Sequence, residues 1–205
     1  VMKIFSIKPY RRRGRKWRAA NRNSVFFPNL LLVKRPTWPN HVWASDFTHI
    51  SFHGKTLYLA TVIDLFTREI VGFSALTTHS AVLVTQAFLS AIHKHPPPSV
   101  LHSDHGSEYC SKDYLAIIRN LGIEVSMSKK GAPWENGYQE SFYSQFKVDL
   151  GDPNRFQNLG ELVYAVYQTI YSYNHSRIHT KLKMPPAIFA ERHIERSNQL
   201  VETVS

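Results

Sequence analysis

The sequence predicts an α/β protein: a mixed five-stranded sheet with flanking helices, preceded by a basic arm. Three observations lead there. Strand-like runs crowd the first part of the body, and helix, strand, helix and strand follow in turn. Hydrophobic residues make up 43% of the 205 and charged residues 20%, a globular balance that excludes wholesale disorder. The positive charge is segregated at the amino-terminal side. Of 25 Lys and Arg, 11 lie in residues 1–35 without a single acid, and the other 14 face all 15 acids.

Taken in order, residues 1–35 read as a basic arm and linker, 36–195 as the body, and 196–205 as a tail. Residues 41–52 are rich in Val, Phe, Thr and Ile and read as a strand, and Gly54-Lys55 turns the chain into a second strand over 56–64. Asp64 is a turn residue leading to a third strand over 68–76, which completes an antiparallel meander. Ser80 is the expected N-cap of a helix over 81–95, with Val84, Ala87, Phe88 and Ala91 at helical spacing and Pro96-Pro97-Pro98 closing it. A short strand over 99–102 ends at Ser103-Asp104. Ser111 caps a helix through Asn120, ended by Gly122, and a fifth strand covers 123–127. A loop over 129–134 precedes a helix over 135–150. Gly151-Asp152-Pro153 breaks that helix, and another covers 159–173. Residues 176–205 are helical only in patches.

A chain of this length buries roughly 70% of its unfolded surface and needs no disulfides. The single cysteine, Cys110, excludes a disulfide framework and a cysteine-rich zinc site within the chain, and reads as a small buried residue. No apolar run approaches the ~18 residues of a membrane span, and no signal peptide is evident, so a cytoplasmic protein is expected. The run Arg11-Arg12-Arg13-Gly14-Arg15-Lys16-Trp17-Arg18 repels itself unless solvated or matched by phosphate. It therefore reads as a DNA-backbone arm whose binding falls with salt.

Three acids stand out by position. Asp46 lies inside the first strand, where a carboxylate is costly unless paired or metal-bound. Asp104 lies at the end of the fourth strand, and ligands of α/β sheets gather outside strand ends. Glu140 lies in the helix after the Gly131–Pro133 loop. If the first and fourth strands are neighbours, the two aspartates converge and the helix can add Glu140. Three convergent carboxylates call for a cation. Mg²⁺ is the natural one, and two such ions ~3.5–4 Å apart suit phosphodiester chemistry. Glu108, Glu135 and Asp149 read as solvated or capping residues.

Four segments then carry a resemblance. They are Trp43-x-x-Asp46-x-Thr48; His102-Ser103-Asp104-x-Gly106-Ser107-x-Tyr109; the loop and helix over 131–142; and Tyr173-Asn174-x-x-Arg177-x-His179-x-x-Leu182 followed by Pro185-Pro186. Glu140 follows Asp104 after 35 intervening residues, and Lys147 follows Glu140 by seven. From about Phe27 to Phe189 the chain resembles bacterial insertion-sequence transposases of the Asp-Asp-Glu type, within the retroviral-type integrase catalytic core superfamily.

The resemblance implies a ribonuclease H-like fold and a metal-dependent polynucleotidyl transferase. Asp46, Asp104 and Glu140 become both catalytic residues and ligands of Mg²⁺ (or Mn²⁺), with two ions per site. The implied chemistry is strand cleavage at transposon ends and direct attack by the freed 3′-hydroxyl on another phosphodiester. Partners implied are DNA, further copies of the chain on DNA, and either a missing amino-terminal region or a separate helix-turn-helix protein, since only a basic arm precedes the core. The expected location is the bacterial cytoplasm, at the nucleoid.

Positions 140, 143, 144 and 147 share a helix face, which makes Lys147, Tyr143 and Ser144 DNA contacts beside the metals. Arg177 and His179 touch DNA or hold the last helix to the core. His102 and His105 orient a ligand or simply pack, and Trp134 stacks on a base or packs. Two other classes are compatible with the same residues: an inactive DNA-binding remnant that represses or coats transposon ends, and a nuclease cutting RNA–DNA hybrids.

Overall fold

The structure, a computed structural model, describes residues 27–129 and 137–204, with side chains as far as 195. The arm residues Arg11, Arg12, Arg13, Arg15, Lys16 and Arg18, together with Trp134 and Glu135, lie outside the described residues. The elements are β1 (Val42–Phe52), β2 (Lys55–Asp64), β3 (Ile70–Leu76), α1 (Ala81–Ile92), β4 (Val100–Ser103), α2 (Lys112–Asn120), β5 (Glu124–Met127), α3 (Gly137–Leu150), α4 (Leu159–His175) and α5 (Pro186–Val204). They form one five-stranded sheet in the order β3-β2-β1-β4-β5. The first three strands are antiparallel, and β4 and β5 run parallel to β1, so the sheet is mixed as expected.

Strand alternation sorts side chains onto two faces. Val42, Ala44, Ile50, Leu57, Leu59 and Ile63 point to α3 and α4, where Phe142, Phe146, Leu162, Val166 and Ile170 meet them. Trp43, Ala60, Val62 and Val71 point to α1 and α2, against Leu83, Val84, Phe88, Tyr114 and Ile118. Asp46 has the parity of Val42 and Ala44, and Thr61 that of Leu59 and Ile63. The α3 side of the sheet is therefore where a carboxylate on β1 must be accommodated.

Several boundaries differ from expectation. Asp64 does hold the turn, its Oδ1 accepting from the N–H groups of Phe66 and Thr67, but it is also buried and accepts from Asn40 N–H. The turn ends with Arg68 at φ 65°, a left-handed conformation incompatible with a strand, so β3 starts at Ile70 rather than 68. Ser80 precedes α1 in extended conformation without a side-chain cap bond, whereas Ser111 does cap α2 by accepting from Tyr114 N–H at 3.3 Å. Helix α5 is one continuous run of 19 residues rather than patches. Cys110, expected inside, is exposed in the loop before α2.

Two close approaches tie the layers together. A Cβ at Gly72 would lie 2.5 Å from Ala87 O and 2.6 Å from Ala91 Cβ, so glycine lets α1 sit directly on β3. At the other end of the sheet, residues ahead of β1 run beside β5. Met127 N–H donates to Pro28 O at 3.1 Å, and Leu30 N–H donates to Ser126 Oγ at 2.9 Å. Among the described residues no helix is long and apolar enough to cross a membrane.

Candidate active site

The parallel register of β1 and β4 pairs Val42 with Val100, Trp43 with Leu101 and Ala44 with His102. Two residues further on, Asp46 comes level with Asp104, the first residue past β4. The neighbouring strands that the sequence reading required are thus adjacent. Asp104 stands where the backbone leaves the sheet, its Oδ1 accepting from Gly106 N–H at 2.9 Å. Asp46 Oδ1 accepts from Phe47 N–H at 2.8 Å.

Glu140 arrives on the first turn of α3, and two polar side chains beside it fix that helix. Gln139 is fully buried; its Nε2 donates to Ala44 O at 2.7 Å and its Oε1 lies 3.1 Å from Thr61 Oγ1. The Tyr143 hydroxyl donates to Asp46 O at 2.6 Å and lies 2.8 Å from Thr61 Oγ1. Both bonds reach the stretch of β1 that carries Asp46, so Glu140, flanked by residues 139 and 143, is held over the sheet while staying exposed. Neither residue's docking role was foreseen. Tyr143, expected to contact DNA, has its hydroxyl engaged with the sheet.

The surroundings of Asp46 disfavour its charge. Burial, reinforced by the charges of Asp104 and Glu140, pushes the Asp46 carboxyl up to about 7, against the opposing pull of the Phe47 N–H. Burial likewise raises the hydroxyls of Tyr109 and Tyr143 well above the usual phenol range, with the Asp46 charge adding to it. Like charges in a partly dry site favour protonation of one of them. Among the described residues no three His, Cys, Asp or Glu side chains are gathered closely enough to enclose an ion. Each aspartate is turned to a main-chain N–H. The donor set nonetheless fits a hard divalent cation: it is all oxygen, and a positive charge would offset the burial, and the lesser repulsion, that raise Asp46.

A fourth acid sits alongside. Glu108, expected to be solvated or capping, is 8% exposed. Its Oε1 accepts from Ser107 Oγ at 2.9 Å and lies 3.2 Å from His79 Nε2. A Cβ at Gly106 would stand 2.9 Å from both Asp104 Oδ1 and Glu108 Oε2. Its order within the His102–Tyr109 motif held no hint of burial.

Models of the integrase core domain match residues 36–133 and 121–186. A transposase for the insertion sequence element IS904 of Lactococcus lactis is 37% identical over 182 residues, covering 87% of this chain and 69% of the relative. The chain belongs to the insertion-sequence transposases. A 31 kDa protein of insertion element IS600 from Shigella sonnei is 36% identical, with the same coverage of 87% and 69%. Among solved structures, the integrase catalytic core domain of HTLV-2 in complex with magnesium overlays with a TM-score of 0.64 at 19% identity, covering 76% of this chain and 99% of that one. The fold is that of the ribonuclease H-like integrase core, and the chain is a transposase catalytic core domain, a polynucleotidyl transferase.

Within this transposase core, the remaining residues singled out by sequence fall in three places. Ser144 and Lys147 are exposed on α3, on the Glu140 side of the helix. Arg177 reaches back to α3, its Nη1 2.7 Å and 3.0 Å from the Asp149 carboxylate oxygens, so Asp149 is an ion-pair partner. His179 is half-buried, its N–H donating to Met184 O. Of the two histidines flanking Asp104, His102 is buried with Nδ1 2.8 Å from Ser126 Oγ, and His105 Nδ1 lies 2.6 Å from Ser128 O. Both hold β4 and its exit loop to β5 and the residue after it.

Proposed function

We propose that this core cuts the strand at transposon ends and joins the freed 3′-hydroxyl to a second phosphodiester, with Asp46, Asp104 and Glu140 as its catalytic carboxylates. The observation that supports the reading is geometric: the β1–β4 register sets Asp46 level with Asp104, and Gln139 and Tyr143 dock the first turn of α3, which carries Glu140, onto the same stretch of β1. These residues would hold Mg²⁺ or Mn²⁺, two ions per site. When bound, such ions activate the attacking oxygen and steady the leaving one. The chain's own part is geometric: Gln139 and Tyr143 hold α3 at a fixed height over β1, and Gly106 leaves room for the Asp104 carboxylate. Ser144 and Lys147 would meet the phosphates next to Glu140, Arg177 and His179 would meet the strand on the other side of α3, and the arm of Arg11, Arg12, Arg13, Arg15, Lys16 and Arg18 would follow the duplex backbone. The working form would be a homo-oligomer on DNA in the bacterial cytoplasm, with end recognition supplied by a helix-turn-helix region or partner.

The test is joining of a pre-cut DNA end to a second duplex in Mg²⁺ or Mn²⁺, comparing the parent with Glu140→Gln. The variant should keep its circular dichroism and DNA binding. Its joining should fall by more than two orders of magnitude, since even an outer contact to a metal ligand is worth about 10–100-fold. DNA binding without joining by the parent, even after an amino-terminal recognition region is supplied, would replace this reading with that of a binding remnant.

A further inference from the structure

Helix α3 has three strips. Residues 139, 142, 143 and 146 face the core, and residues 140 and 147 form the edge at the carboxylates. Residues 137, 138, 141, 144 and 145 face a cleft of about 800 Å³ that α4 and the chain after it complete. Adjoining it is a second hollow of about 550 Å³ that shares Arg68, Tyr138 and Lys181. No acidic side chain lines either one among the described residues.

Arg68 is the unexplained residue here. It is 6% exposed, its guanidinium carbon lies 4.1 Å from the Tyr138 ring centroid, and its Nη1 is buried with no hydrogen-bond partner among the described residues. His179 Nδ1, in the same cleft, is likewise buried without one. A buried guanidinium nitrogen left without an acceptor is destabilising. A ligand that supplies the acceptor would satisfy it. Lys181 stands exposed at the junction of the two hollows, in no ion pair among the described residues. Burial lowers the His179 imidazole, and the charges of Arg68, Lys181 and Arg177 lower it further, so these groups repel one another across the cleft.

We propose that Arg68, His179 and Lys181 form a phosphate pocket that grips a backbone phosphate of DNA after the strand has crossed α3 from the carboxylates. The inference rests on the DNA-joining function proposed above. A planar guanidinium fork matches two phosphate oxygens, and the hydroxyls of Ser141, Ser144 and Thr180 line the same cleft to complete the shell. Ser144 gives the path: it borders the Glu140–Lys147 edge and also lines the cleft. Tyr138, 43% exposed and stacked on Arg68, offers its ring to the adjoining base.

The test follows the Arg68 Nε–Hε resonance of the whole chain by NMR, assigned by its loss in Arg68→Lys. The chain is titrated with inorganic phosphate, with duplex DNA, and with the same duplex carrying uncharged methylphosphonate linkages. The resonance should shift with ordinary DNA and stay with the methylphosphonate duplex. A shift with DNA alone supports a phosphate read as part of a strand; a shift with inorganic phosphate that DNA then displaces supports the pocket as a general phosphate site. Lys181→Ala, at an exposed position, should flatten the salt dependence of DNA binding by about 0.9 in log–log slope, the worth of one phosphate contact. No shift with DNA or phosphate overturns the proposal, and so does an unchanged slope in Lys181→Ala. End joining by the parent is measured on the same material: joining with a silent Arg68 removes the pocket and leaves the function standing, whereas a responsive Arg68 without joining does the reverse.

Discussion

Gly106 has two carboxylate oxygens where a side chain would begin, Asp104 Oδ1 and Glu108 Oε2, each 2.9 Å from the Cβ position. Both are the mobile ends of side chains, so Gly106→Ala should displace them without breaking the fold. Stability should change by less than about 1 kcal/mol. Joining activity should fall by about 10²-fold, the usual cost of moving a reacting group by an ångström. Thermal melting and the end-joining assay check the two halves. Glu69 is a second residue whose environment decides its behaviour. Burial, with the charges of Asp64 and Glu191, raises its carboxyl to about 7. An acid raised in the folded state binds its proton more tightly there than in the unfolded chain, where it titrates at about 4.3. Its favourable contribution is therefore complete below about 4.3 and lost as pH rises to 7. Glu69→Gln should stabilise the protein at pH 8 by roughly 1–3 kcal/mol and by almost nothing at pH 4, as urea denaturation at the two pH values would show.

At the scale of elements, helices are held where they are by a few contacts that composition does not advertise. Gly72→Ala would drive a methyl into Ala87 O and Ala91 of α1, main chain and Cβ alike, so the helix must lift from the sheet. A loss of about 1–3 kcal/mol in urea denaturation is expected, with the Trp43–Phe88 contact beneath α1 loosened as a tryptophan fluorescence change. The same local character explains which elements were legible. Strand β1 showed in its run of Val, Phe, Thr and Ile and helix α1 in its hydrophobic spacing, while α2 and α3 were bounded by Ser111 and Gly122 and by Gly151-Asp152-Pro153. The start of β3 was misplaced because Arg68 fits a strand by composition, while its backbone is left-handed to close the Asp64 turn. Helix α5 read as patches because its buried positions among the described side chains, Pro186, Ala187 and Ala190, are small and are followed by charges.

For the whole molecule, spacing and residue type across four segments single out Asp46, Asp104 and Glu140 as the proposed catalytic acids, and the sheet order makes neighbours of β1 and β4, which carry the two aspartates or lead into them. What supports them was not legible in the sequence. Gln139 and Tyr143 look like solvent-facing residues of a polar helix, and only the tertiary fold aims them at Ala44 O and Asp46 O. Glu108 and Arg68 look like surface charges, and only the fold buries them. One more property belongs to the molecule as a unit. On β5, the last strand of the sheet, the Met127 N–H donates to Pro28 O and so is covered, and Leu30 N–H fastens the same segment to Ser126 Oγ. A strand rim left open is a template for pairing with a foreign chain. Trimming the chain to begin at residue 36, where the matched core domain starts, would strip that rim and leave a sticky border. The trimmed protein should clump over time in dynamic light scattering, whereas the chain that keeps residues 27–35 stays monodisperse. Storing, concentrating or crystallising this core should therefore go better with the nine residues 27–35 kept in place.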